Sequence, residues 1–246
     1  MDIRGKVAVI TGTKRIGSVV GLRLAEKGAD VVLTYNRSRK EAEAAAELIG
    51  NKGRTALTLQ ANLSRAEDTQ AMANEVLRQM GRIDILVNMA SIYSPKAFLQ
   101  TSEADWDENM SINLKGAYLC AKAVLPAMRA QGGGRIINFA DWIAASGRPR
   151  YKGFVEYYVS KVGVIGLTES LALELAPYSI LVNAIAPGPI LAPPGLTPEE
   201  DAEVRKATPL GRWGGEDEIA KAVICLVETD FITGECIRVD GGRHVR

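Results

Sequence analysis

Hydrophobic and polar positions along the chain follow two alternating periods. Short runs rich in Val, Ile, Leu and Ala, such as KVAVI (6–10), DVVLTY (30–35), RTALTLQA (54–61) and IDILVNMA (83–90), are separated by longer stretches with helical spacing. IDILVNMA is apolar almost throughout, as a parallel strand buried on both faces should be. GRIINFA (134–140), ILVNAIAP (180–187) and CIRVDGG (236–242) complete seven strand-like runs. Helices are predicted over 16–27, closed by Gly28, over 39–53, from a Ser64 cap to about Met80, and over 101–129, 155–176 and 216–228. This alternation predicts one α/β domain over 1–246, a doubly wound parallel seven-stranded sheet with helices on both faces. The one long irregular stretch, 187–213, predicts a lid or substrate-binding loop.

Composition narrows the function classes. A chain of 246 residues suits a single α/β unit with a large core. A net charge of +1 argues against nucleic acid or an anionic membrane as partner, so any anion site must be local. No apolar run approaches the ~18 residues of a spanning helix, and the first strand begins too early to leave room for a signal peptide. Cys120, Cys225 and Cys236 match neither a CxxC nor a zinc pattern. Three reduced thiols in or near the core, and a cytoplasmic protein, are expected. No cluster suggests a metal, and His244, the only histidine, reads as a tail residue.

Two segments point to a dinucleotide. TGTKRIG places Gly12 and Gly17 between the first strand and its helix, where backbone N–H groups can face a pyrophosphate. This is what the phosphate end of a single-domain Rossmann fold is expected to look like. The second strand ends in Tyr35-Asn36-Arg37-Ser38, without the acid that would accept from a ribose 2′-hydroxyl. Arg37 and Ser38 suit a 2′-phosphate instead, and Lys14 and Arg15 add positive charge, so NADP(H) is the expected cofactor.

Across its whole length the chain resembles the short-chain dehydrogenase/reductase family. TGTKRIG is similar to the family's glycine turn, NMAS (88–91) to its NNAG motif, Tyr157 and Lys161 to YxxxK, NAIAPGPI to the segment after strand six, and VDGG to the usual ending. The resemblance implies a nicotinamide cofactor held by Gly12, Thr13, Lys14, Arg15, Ile16, Gly17, Tyr35, Asn36, Arg37, Ser38, Asn62, Leu63, Asn88, Ala90, Ser91, Pro187, Gly188 and Ile190. Asn62 stands where the family has an aspartate on adenine. The resemblance also implies that Tyr157 donates a proton, that Lys161 holds the nicotinamide ribose, and that Asn113 orders a water chain to Lys161. An ammonium one helical turn from a phenol lowers the phenol's pKa from about 10. Tyr151 and Tyr158 are poor competitors, because Val155 and Val162 stand four residues on. Family members are mostly tetramers, with 101–129 and 155–176 as candidate interfaces here.

The family's catalytic serine aligns with Asp141, with Ser146 as the fallback. An ionised carboxylate has no proton to donate to an oxyanion. A protonated Asp141, Ser146 as a substitute, or a C=N substrate that itself donates would each resolve this. The last is similar to the pteridine reductases, a branch with aspartate here, the Lys14-Arg15 pair, and an aromatic ring at Tyr93 that stacks on a flat heterocycle. The expected substrate site is therefore Arg15, Tyr93, Asp141 and Tyr157, and the expected reaction is NADPH-dependent reduction of C=N or C=O on a small pteridine-like molecule. A 3-oxoacyl-[acyl-carrier-protein] or general ketone reductase is the alternative, with Arg129, Arg148, Arg150 and Lys152 as a docking patch for an acidic carrier. A non-catalytic dinucleotide sensor is the second alternative. GRPRYKGF enlarges the loop between Asp141 and Tyr157, and the tail GGRHVR is expected to approach a neighbouring subunit.

Overall fold

A computed structural model describes residues 1–246. The strands are β1 (Val7–Thr11), β2 (Asp30–Tyr35), β3 (Ala56–Gln60), β4 (Ile85–Asn88), β5 (Gly134–Phe139), β6 (Ile180–Pro187) and β7 (Cys236–Val239). All pair in parallel, in the order β3-β2-β1-β4-β5-β6-β7. The chain reverses direction across the sheet between β1 and β4. That switch point opens a crevice at the carboxyl ends of the central strands.

Alternation along each strand divides the core. Ala8 and Ile10 of β1 pack on the face covered by α1 (Ile16–Glu26) and α9 (Glu216–Glu228), with Leu24 and Val223. Val7 and Val9 pack on the other face against α3 (Ala66–Met80), α5 (Gly116–Ala130) and α7 (Val155–Leu175), with Met72, Val124 and Leu175. α2 (Arg39–Gly50) follows β2 on the first face.

Local chemistry overrides the predicted boundaries in four places. The segment 101–129 is not one helix: α4 (Glu103–Asn109) passes through a π-helical turn, Met110–Lys115, into α5. α6 (Trp142–Ala145) is too short to show as a period. The segment 187–213 contains α8 (Pro198–Ala207), with Pro198 at its start and a reciprocal capping box between Thr197 and Glu200. The sequence Thr-Pro-Glu-Glu carried that signal. Ser64 does not cap α3, because Arg65 is the cap residue and Ser64 instead donates from its N–H and hydroxyl to Asn62 Oδ1. All three cysteines are free, but only Cys120 is buried and Cys225 faces solvent.

Candidate active site

α7 presents Tyr157 and Lys161 four residues apart on one face, both buried beneath the carboxyl end of β5. Lys161 Nζ donates to the Phe139 carbonyl at 2.7 Å. The Tyr157 hydroxyl donates to Asp141 Oδ2 at 2.8 Å. The other carboxylate oxygen accepts from the Ile143 N–H at 2.9 Å and caps α6. One aspartate therefore starts a helix and holds the phenol. Ser146, the fallback, donates its hydroxyl to the Trp142 carbonyl at the other end of α6.

Burial reverses one electrostatic expectation. It pushes the Tyr157 phenol well above its ordinary pKa, and the Asp141 charge and hydrogen bond push the same way. The lysine does not bring it down. Burial pulls the Lys161 ammonium down to about 8, against the opposing pull of Asp141. Burial raises the Asp141 carboxyl, opposed by the Ile143 N–H, the Tyr157 hydroxyl and Lys161. The three groups titrate as a coupled set.

Asn113 lies inside the π-helical turn, a common place for a functional side chain. Its carboxamide grips the loop after β4, accepting from the Ile92 N–H at 2.8 Å and donating to the Ile92 carbonyl at 3.2 Å. It also donates to Ser160 Oγ at 3.1 Å, and Ser160 donates to the Tyr157 carbonyl at 2.7 Å. Asn113 thus joins Ser160 directly, while the Lys161 ammonium is bonded to Phe139. Sequence reasoning missed Ser160. The signal was a hydroxyl on the inward stripe that also holds Tyr157, Lys161, Val164 and Thr168. Asn138 of β5 was also missed; it accepts from Asn88 Nδ2 at 2.9 Å and donates to Thr168.

Tyr93 stacks on Phe154, with centroids 4.4 Å apart, and meets Tyr157 edge-on at 4.8 Å. The Lys96 N–H bonds the Gly153 carbonyl, so the enlarged loop and the loop after β4 form one wall.

Two adjoining cavities run along the crevice and share Gly12, Lys14, Met89 and Ser91. One, of about 360 Å³, is lined by Tyr93, Asp141, Tyr157 and Lys161, and by Arg15, Ile16, Pro187, Gly188 and Ile190. The other, of about 410 Å³, is lined by Thr13, Tyr35, Asn36, Arg37, Ser38, Asn62, Leu63 and Ala90. Gly17 and Asn88 lie behind these walls. A Cβ on Gly17 would sit 2.2 Å from the Gly12 carbonyl oxygen, so its absence lets the turn close. Met89, on both cavities, replaces a motif asparagine and was not expected as a lining residue.

The crevice suits a dinucleotide. Thr13 Oγ1 and Asn88 Oδ1 are buried there without a hydrogen-bond partner. No carboxylate lies within 4 Å of the Arg37 guanidinium, whereas Lys14 pairs loosely with Glu41 at 3.6 Å. Arg15 adopts φ 55, ψ −103, a left-handed backbone that favours glycine, and its Nη2 donates to the Ala192 carbonyl at 3.1 Å.

One further expectation changes. Arg129 stacks over Tyr178 at the C-terminal end of α5, which leads into the start of β5, whereas Tyr157 lies at the carboxyl end of that strand and Arg150 lies over Trp142 beside the site. Arg129 therefore does not join the loop cations in one patch. The tail folds on its own chain: Arg243 donates to the Val204 carbonyl, Arg246 to the Lys206 carbonyl, and His244 bonds Asp240. No helix is long and apolar enough to cross a membrane.

Comparison with known proteins gives this geometry a lineage. A family model described as enoyl-(acyl carrier protein) reductase matches residues 11–244. The 3-oxoacyl-[acyl-carrier-protein] reductase FabG of Staphylococcus aureus (strain Mu50) is 39% identical over 245 residues, covering 98% of each chain. FabG of Aquifex aeolicus is 39% identical over 248 residues, again covering 98% of each. A solved short-chain dehydrogenase/reductase from Serratia marcescens superposes with a TM-score of 0.91 at 31% identity, over 99% of this chain and 100% of its own. These relatives are named for acyl-carrier chemistry or for the family at large, and they lend no support to the pteridine branch.

Proposed function

The chain belongs to the short-chain dehydrogenase/reductase family, oxidoreductases that use a nicotinamide dinucleotide, and within it we propose an NADPH-dependent reductase of 3-oxoacyl thioesters. The observation that carries this reading is full-length similarity to two acyl-carrier-protein reductases, in a chain whose Tyr157 and Lys161 meet at the end of β5. NADPH, rather than NADH, is favoured because β2 ends without an acid and Arg37 stands uncompensated at the cavity.

The bound nicotinamide supplies a hydride. This chain's part is to place the substrate oxygen against Tyr157, deliver the proton and keep water away. The Tyr157 hydroxyl is the donor. It stays protonated through neutral pH because of its burial and the carboxylate beside it. Lys161 supplies positive charge beneath the phenol and has donors left for a ribose hydroxyl. Asn113 and Ser160 hold the Tyr157 turn of α7 against the loop that carries Tyr93. Asp141 shields the phenol proton until a substrate oxygen replaces the carboxylate as its acceptor.

A second reading keeps one specific observation in its favour. A carboxylate aimed at the proton donor suits a substrate with N–H groups, so reduction of a C=N bond in a pteridine-like ring stays as the competing proposal. We also propose a homotetramer, on the apolar residues that α7 (Val155, Val159, Val162) and α5 (Tyr118) leave exposed. NADPH oxidation with acetoacetyl thioester and with dihydrobiopterin separates the readings. Turnover of the thioester alone supports the first and turnover of the pterin alone replaces it. Tight NADPH binding without turnover of either points to a sensor.

A further inference from the structure

α8 carries no buried residue, and its ten residues are too few to hold a helix in water on propensity alone. Its N-terminal end has its own capping box. Its C-terminal end has no glycine stop, because Thr208 is extended and Pro209 follows. The carbonyls of the last turn therefore need partners from elsewhere. Thr208 gives its N–H to the Arg205 carbonyl at 3.1 Å and its hydroxyl to the Val204 carbonyl at 2.7 Å. The tail beyond β7 adds two more donors. Arg243 Nη1 donates to the Val204 carbonyl at 2.8 Å, and Arg246 Nη1 to the Lys206 carbonyl at 2.6 Å. Both bring positive charge to the negative end of the helix dipole. Buried Asp240 fixes the tail by accepting from the N–H groups of Gly242 and His244, each at 3.0 Å.

Arg243 also reaches the wall of the site. Its guanidinium carbon lies 5.7 Å from the ring centroid of Trp142, the residue after Asp141. Tyr151 of the enlarged loop meets Trp142 edge-on at 6.3 Å. With Val204, Ala207 and Arg243, Tyr151 lines a cavity of about 690 Å³.

We infer that Arg243 and Arg246 are positioning residues: they cap α8 from the tail, and Arg243 ties it to the Trp142–Tyr151 wall beside Asp141. Substrate then meets a wall already in place. Only the substrate effect rests on the reductase reading; the cap and the tie do not.

Amide hydrogen exchange of the full chain, read by mass spectrometry, tests the cap and the tie without turnover. In R243M/R246M, residues 201–208 should exchange about tenfold faster, the scale of a lost hydrogen bond to a charged group. Residues 142–151 should exchange about threefold faster, the scale of a lost cation–π contact, while α7 stays unchanged. R243K/R246K keeps a charged donor at each position and should retain most of the protection. For whichever of the thioester and the pterin is reduced, KM should rise about fivefold in R243M/R246M with kcat within about twofold. Unchanged exchange over 201–208 overturns the cap, and unchanged exchange over 142–151 overturns the tie. Faster exchange with an unchanged KM overturns the positioning role. Turnover of neither substrate by the wild type would instead overturn the reductase reading, and the exchange results would still decide the cap and the tie.

Discussion

Two aspartates at opposite ends of one sheet face opposite conditions. Asp84, just before β4, accepts from the Val7 N–H at 2.9 Å and from Arg82 Nε and Nη2, each at 2.7 Å, with Lys6 at 3.6 Å. Asp141, after β5, has one backbone N–H and one phenol, and the nearby ammonium of Lys161 is bonded to a carbonyl. Asp84 is a satisfied charge that holds strands together. Asp141 is under-compensated, and it shares its imbalance with Tyr157 and Lys161. Perturbed titration at a cleft, beside satisfied ion pairs elsewhere, marks where a fold has given up stability for chemistry.

The contrast can be broken in several ways, beginning with the largest expected effect. Y157F removes the proton donor and should lower kcat by about 10³-fold, within the range of general acid catalysis. NADPH binding by fluorescence should stay within about twofold. D84A should cost about 3 kcal/mol in urea unfolding, since it strips partners from Val7 and Arg82.

D141N should move stability the other way. The Asp141 folded-state pKa is raised, so its stabilising contribution is present below the unfolded pKa and lost as pH rises through the folded one. Replacing a buried carboxyl whose charged form is disfavoured should let D141N gain about 1 kcal/mol. Lys161 has the opposite sense: its folded pKa is lowered to about 8, so its contribution is full above its unfolded pKa and lost as pH falls through about 8. R15G should give a gain of similar size, about 1 kcal/mol, from relieving a left-handed arginine, with loss of the tether to Ala192.

The sequence made the scaffold legible because strands buried on both faces and helices with one apolar stripe write different periods. Tyr157 and Lys161 were legible because their spacing is that of one helical face. Asp141 was legible as a departure from a motif, but its bond to Tyr157 spans 16 positions and carries no local signal. The same holds for the direction of the Tyr157 shift, which depends on burial and on which acceptor Lys161 finds. The π-helical turn was illegible because it is one helix-length pattern with a widened hydrogen-bond register. α8 was legible in Thr197, Pro198 and Glu200 and was outweighed by the prolines and glycines before it.

The most direct test of the coupled set is the pH dependence of kcat/KM for the wild type and D141N. An alkaline fall near pH 8, as Lys161 loses its charge, is expected for the wild type. In D141N that limb should shift to lower pH, because Asp141 is what holds the ammonium's proton affinity up. Superimposable alkaline limbs in the two proteins would contradict the claim that Asp141, Tyr157 and Lys161 act as one titrating unit.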